Sequence, residues 1–336
     1  MQRWYSRNLT LFVALGLMLI STSALAQYTV TVLDSDVKGF GQQAPFLVNG
    51  WGEAYAPTGP FWLSDEGSGW STLYDGSGNP QSLQVIVPGA NGGQGSPTGI
   101  VYNGTQNFKI DSWASVFMFA TLDGTIQGWS SFSPSASLIG VNNSRLNNSY
   151  TGLAINAAQN MIYAADTAHN KVEMYDSGFH LVGSFTDPAV PPSGTVLNVQ
   201  DIAGQLYVTF GAVNGGPGGL VDIFSESGTL VKRLIQGAPL SQPWGVAMAP
   251  SNFGALSNTL LIANNTNSGT INGFNPTTGK FVGTVKAANG KAIAIDQLWA
   301  IEFGGGTPSN GQTNQLFWTA GPDNNLEGAF GVINTQ

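Results

Sequence analysis

The chain contains no cysteine and only two histidines, His169 and His180. The lack of cysteine excludes disulfides, thiol nucleophiles and thiolate metal ligands. Two histidines leave almost no material for a Ser-His-Asp relay or a histidine-rich zinc or iron centre. Charge is scarce as well: Asp, Glu, Lys and Arg make up 9% of the residues, against about 25% in ordinary globular domains. The 11 basic residues are outnumbered by 19 acidic ones and form no stripe. That balance argues against nucleic acid and against an anionic membrane surface as partners. No glycine cluster opens a helical pattern, so a phosphate-cradling loop and its nucleotide cofactors are not expected.

The one long apolar run lies at the N-terminus. Arg3 and Arg7 precede a 12-residue, mostly apolar stretch from Leu9 to Ile20, and Ala24-Leu25-Ala26 follows as a small-x-small site. This is the pattern of a secretory signal peptide over 1–26. The run is too short for a membrane span, which needs about 20 apolar residues. The expected product is a secreted or periplasmic protein with no membrane anchor after cleavage, formed by one domain over 27–336.

What the chain has in abundance is repetition. A short apolar phrase recurs six times: FWLSD (61–65), FMFAT (117–121), IYAAD (162–166), LYVTF (206–210), LLIAN (260–264) and LFWTA (316–320). The middle residues, from Leu63 to Trp318, are 44 to 56 positions apart. Short strands, Gly-rich turns and a period of this size are the mark of a β-propeller. Around each phrase a four-stranded antiparallel meander can be cut. In the third unit its strands are 151–156, 162–166, 171–176 and 181–185. The sixth unit lacks one strand, and YTVTVL (28–33) stands spare behind the leader. An all-β, six-bladed propeller of four-stranded antiparallel blades is therefore expected, closed by an N-terminal strand that completes the last blade.

The phrase IYAADTAHNKVEMYD (162–176) resembles the NHL repeat: a strand ending Ala-Asp, a His/Asn turn, a basic residue and an alternating strand ending in Asp. The segments 57–74, 123–129, 243–250, 270–283 and 319–322 also resemble an uncharacterised family of secreted bacterial propellers. That resemblance implies the fold and export but no reaction. The chain departs from the family pattern where Gly50 replaces a proline, Glu53 an aliphatic residue and Glu327 a histidine.

Candidate chemistry falls to the inner strands, which converge on the propeller axis. Glu53 occupies the position held by Ile100, Leu153 and Val246 in other units, and Asp201 reads as its counterpart in the opposite unit. Asp296 and Glu302 flank the sixth inner strand. Such carboxylates, with Asn103, Asn156 or Asn198, could hold Ca²⁺, which takes about 6–8 oxygen ligands, and propeller lactonases use an axial cation of this kind as a Lewis acid. Equally, the acids could bond backbone groups or face solvent in the channel. Trp51, Trp244 and Trp299 also come from inner strands. They form either an aromatic platform for a sugar or peptide, or packing wedges. The overall expectation is an exported binding or scaffold module for a protein, peptide or glycan. The alternative is a Ca²⁺-dependent, lactonase-like hydrolase or lyase. The residues leave open whether the protein is an enzyme.

Overall fold

The computed structural model describes residues 27–190, 194–212 and 215–336; the expected leader lies outside them. Six antiparallel sheets stand around one axis. The inner strands of the blades are Gly50–Tyr55, Pro97–Tyr102, Tyr150–Ile155, Thr195–Ile202, Pro243–Met248 and Leu298–Phe303. The recurring phrases form the second strands, and in the first five blades third and outer strands follow in sequence order. In the first blade the third strand is broken into Trp70–Ser71 and Leu73–Tyr74.

Burial falls from the axis outwards. Second strands such as Phe61–Asp65 and Phe117–Thr121 are buried at every position, whereas the outer strand Leu181–Phe185 is exposed or half-buried throughout. A second strand is covered on both faces by neighbouring blades, so it reads as a continuous apolar run rather than an alternation. Six apolar clusters fill the six spaces between adjacent blades, including Trp62 with Phe117 between the first two and Leu298 with Ile271 between the last two. One interface per neighbouring pair fixes the count at six blades.

The N-terminal strand completes the sixth blade as the repeat demands. Tyr28–Ser35 pairs antiparallel with Ala329–Thr335, from Tyr28 opposite Thr335 to Ser35 opposite Ala329. It also reaches the fifth blade. The Tyr28 amide donates to the Lys286 carbonyl at 3.0 Å, and the Tyr28 hydroxyl donates to the Phe253 carbonyl at 2.8 Å. Sequence periodicity did not reveal three local features. A short strand, Gln42–Gln43, runs parallel to the closing strand; a hairpin, Lys109–Ile110 with Trp113–Ala114, projects from the second blade; and a helical turn covers Pro322–Asn325.

Tyr28 is 2% exposed and joins two blades, so Tyr28→Ala should cost about 3 kcal/mol or more, in the range of large buried truncations. Deleting 27–34 should destabilise the whole ring. Chemical denaturation of both variants checks this, and unchanged stability would contradict the closing role.

Candidate functional site

Every inner strand carries a β-bulge near its start. Ladder pairing jumps from Gly50 to Glu53, Pro97 to Ile100, Tyr150 to Gly152, Val196 to Asn198, Pro243 to Val246 and Leu298 to Ile301. A bulge adds a residue on one strand and re-aims its side chain. The bulged position holds Trp51, Thr98, Thr151, Leu197, Trp244 and Trp299. The position after it holds Gly52, Gly99, Gly152, Asn198, Gly245 and Ala300. Glycine recurs there because the strands crowd together. A Cβ on Gly52 would lie 2.4 Å from the Thr98 carbonyl oxygen, and one on Gly245 would lie 2.6 Å from the Trp299 carbonyl oxygen.

The bulges bring the three inner-strand tryptophans together. Trp51 and Trp299 stack with ring centroids 3.8 Å apart, and Trp244 meets Trp299 edge-on at 5.9 Å. All three are buried, with Ala300, Leu122 and Leu197 packed against them. The Trp244 indole N–H donates to the Thr151 carbonyl at 3.1 Å, and that of Trp299 donates to Asn49 Oδ1 at 2.9 Å. The indoles thus form a packed plug on the axis. Only Trp244 of the three also lines the cavity beyond it.

That cavity measures about 390 Å³ and is lined by all six inner strands. Glu53, Tyr55, Tyr102, Asn198, Gln200, Trp244, Glu302 and Phe303 contribute its polar and aromatic groups, and no Lys, Arg or His lines it. Glu53 is buried, and neither of its carboxylate oxygens has a hydrogen-bond partner among the described residues. Burial pushes its pKa well above the usual range, and the nearby charge of Glu302 pushes the same way, against a smaller opposite pull from the Glu302 backbone amide, which lies close without forming a well-aligned hydrogen bond. Glu302 is half-buried and lines the cavity, and burial raises its pKa to about 8. Burial and both acids also raise the Tyr55 phenol, which donates to the Phe303 carbonyl at 2.8 Å. Two carboxyls facing one low-dielectric space with no counter-charge hold protons unless a cation arrives.

The four expected carboxylates separate into different places. Glu53 and Glu302 meet at the cavity. Asp201 does not fill the position of Glu53. The fourth inner strand begins earlier and bulges at Leu197, so Val199 takes that register opposite Val208, while Asp201 pairs with Leu206. Asp201 accepts from the Gly204 amide at 3.1 Å, and burial followed by Glu226 raises its pKa. Asp296 precedes the sixth inner strand and accepts from the Asp323 amide at 3.1 Å. Among the described residues no group of three or more His, Cys, Asp or Glu is placed to hold a metal. Of the three asparagines read as helpers, only Asn198 lines the cavity. Its amide donates to the Trp244 carbonyl at 3.0 Å. His169 and His180 sit in turns beside Asp166 and Asp176. Tyr55, Tyr102 and Phe303 were not singled out from sequence. The available signal was their shared place, two residues beyond the Glu53 register, in three of the six units.

No known family model matches the chain. It is similar to three uncharacterised proteins of Acanthamoeba polyphaga mimivirus, at 28%, 29% and 26% identity over 86%, 80% and 86% of its length. Those alignments span 75%, 53% and 80% of the viral proteins. Among solved structures, a Bacteroides thetaiotaomicron protein of unknown function aligns at TM-score 0.60 and 11% identity, covering 93% of this chain and 76% of that one. The Kuenenia stuttgartiensis hydrazine synthase aligns at 0.52 and 12%, covering 84% and 76%. At such identities the likeness is one of fold, and it agrees with the six-bladed ring. Among the described residues no helix is long and apolar enough to cross a membrane.

The raised acids set a pH dependence. Asp34, buried in the closing strand with both oxygens unpartnered, is raised to about 7 by burial and then by Asp75. Asp34, Glu53 and Glu302 hold protons in the folded chain that the unfolded chain releases near pH 4, so their contribution is full below that point and declines as pH rises towards about 8. The lowered acids Asp75, Glu173, Asp176 and Asp187 act in the opposite sense, losing their contribution only on acidification below their ordinary range. Melting temperature should therefore be higher at about pH 5 than at about pH 8, and Glu53→Gln should flatten that slope. A melting temperature that rises across this interval would contradict the assignment.

Proposed function

We propose that the chain is an exported binding module on an NHL-like six-bladed frame, and that its axial pocket receives a cationic group from a protein or peptide partner. The observation that carries this reading is Glu53: buried, without a hydrogen-bond partner, and facing Glu302 in a cavity with no basic residue. Leaving a buried carboxylate unpaired is costly, and a hydrogen-bonding cation removes the cost. A lysine or arginine side chain suits the space, since small-ligand pockets begin at about 300 Å³. Tyr55, Tyr102 and Phe303 supply aromatic faces and edges where a cation gains further attraction.

A second reading makes the axial cation Ca²⁺, serving a lactonase-like hydrolase or lyase. Glu53 and Glu302, with the amide oxygens of Asn198 and Gln200, are oxygen donors of the class Ca²⁺ prefers.

Melting curves with agmatine, putrescine and calcium chloride, each added separately, and with a chelator, distinguish the readings. Agmatine at saturation should raise the melting temperature by about 2–4 °C or more. The effect should strengthen as pH rises through about 8, because binding requires the acids to release protons, and it should vanish in Glu53→Gln. Stabilisation by calcium with loss on chelation would replace the amine reading with the metal one. No response to any of the three would overturn the pocket as a cation site.

A further inference from the structure

The second blade carries a separate site. The hairpin Lys109–Ile110 with Trp113–Ala114 projects from it, and Trp113 is 50% exposed. Phe132, 55% exposed, comes from the loop before the outer strand and stacks on Trp113, with ring centroids 5.1 Å apart and planes 12° from parallel. Two large aromatic rings stacked side by side and half-exposed form the kind of contiguous surface patch that marks an interaction site.

Both rings are held on stiff supports. The hairpin tip, Asp111-Ser112, has φ of 49° and 70°, the two positive values of a tight I′ turn. Neither residue is glycine, so the turn stores strain that the surrounding contacts must hold. The hairpin base is tied down by Ser115, whose amide and hydroxyl both donate to the Phe108 carbonyl, at 3.0 and 2.7 Å. Ser115 in turn lies over Gly128, where an added Cβ would clash with its hydroxyl. The Phe132 loop is fixed by the Ser133 amide donating to the Ser130 carbonyl at 3.1 Å and the Ser133 hydroxyl donating to the Ala136 carbonyl at 2.8 Å.

Beside Trp113 lies a shallow groove of about 320 Å³. Asn103 shapes its wall, donating to the Asn107 and Ser115 carbonyls at 3.1 and 2.8 Å and accepting from the Thr105 amide and hydroxyl at 3.0 and 2.7 Å. The side chains of Gln106, Ser130 and Ser131 also line it, and they bond no other described residue. No Asp, Glu, Lys, Arg or His lines the groove.

We propose that this groove binds a neutral glycan, with the C–H face of one sugar ring laid on the Trp113 indole. The chemistry selects the occupant. A flat apolar ring face matches the indole, and the sugar hydroxyls match the free amide and hydroxyls of Gln106, Ser130 and Ser131. A charged ligand finds no counter-charge, and an apolar peptide would leave those polar groups unpaired. Phe132 fixes the indole orientation before binding, which lowers the entropic cost of ordering it. Tyr102 lines both this groove and the axial cavity, so the two sites share one mouth of the propeller. The glycan site does not depend on the cationic reading of that cavity.

Calorimetric titration of the protein with cellohexaose, chitohexaose, maltohexaose and laminarihexaose tests the proposal. At least one should bind saturably. Trp113→Ala should weaken it about tenfold or more, as expected when an aromatic anchor is removed, and Gln106→Ala should weaken it to a lesser degree. Both variants should keep the parent melting temperature, and Glu53→Gln should bind the sugar like the parent. Absence of binding to all four at millimolar concentration, or binding that Trp113→Ala leaves intact, would overturn the proposal.

Discussion

The whole molecule depends on one pairing: the ladder between the first strand of the described residues, Tyr28–Ser35, and the last, Ala329–Thr335. Six meanders in a row have two free edges and no reason to curl shut. Hydrogen-bonding the two ends into one blade removes the mismatch and turns a chain of local sheets into a ring. Once the ring is shut, each second strand is clamped between two neighbours and an apolar cluster fills every space between adjacent blades. Tyr28 strengthens this further by reaching past its own blade to Phe253 and Lys286.

Closure also creates the axial site. Six inner strands driven towards one line run out of room, and two devices relieve the crowding. Glycine at four of six equivalent positions lets backbones touch, and a bulge in each strand re-aims one side chain. Where that side chain is tryptophan the channel fills. Beyond the plug it stays open, and there Glu53 and Glu302 stand without a counter-charge. A chain with so few charged residues gains little from leaving two acids buried together, which is why the pocket rather than the outer surface carries the cationic proposal.

The blades were legible because second strands sit between two apolar faces and must be apolar at nearly every position; the six phrases record that burial directly. The missing sixth-blade strand could be counted, and its place followed from the need to remove an edge. The axial site was legible only in part. Glu53 stood out as an acid in an aliphatic position, and Glu302 as an acid near the end of the last inner strand, Leu298–Phe303. Asp201 falls outside the Glu53 register because the fourth inner strand bulges at Leu197 and sets Val199 in that place, a register with no composition signal. The meeting of Trp51, Trp244 and Trp299 likewise depends on bulges that period-2 reasoning does not see. The Trp113–Phe132 stack lies on an insertion between strands, where the repeat offers no expectation at all.

The central claim is that Glu53 and Glu302 form an unpaired, proton-holding acid pair in the axial cavity. Carbon-13 NMR of the glutamate carboxyls, followed through a pH titration and assigned with Glu53→Gln and Glu302→Gln, tests it most directly. The account predicts that Glu302 titrates near 8, that Glu53 stays protonated well beyond the ordinary carboxyl range, and that Glu302→Gln lowers the pKa of Glu53. Two carboxyls titrating independently near 4, as exposed glutamates do, would contradict it.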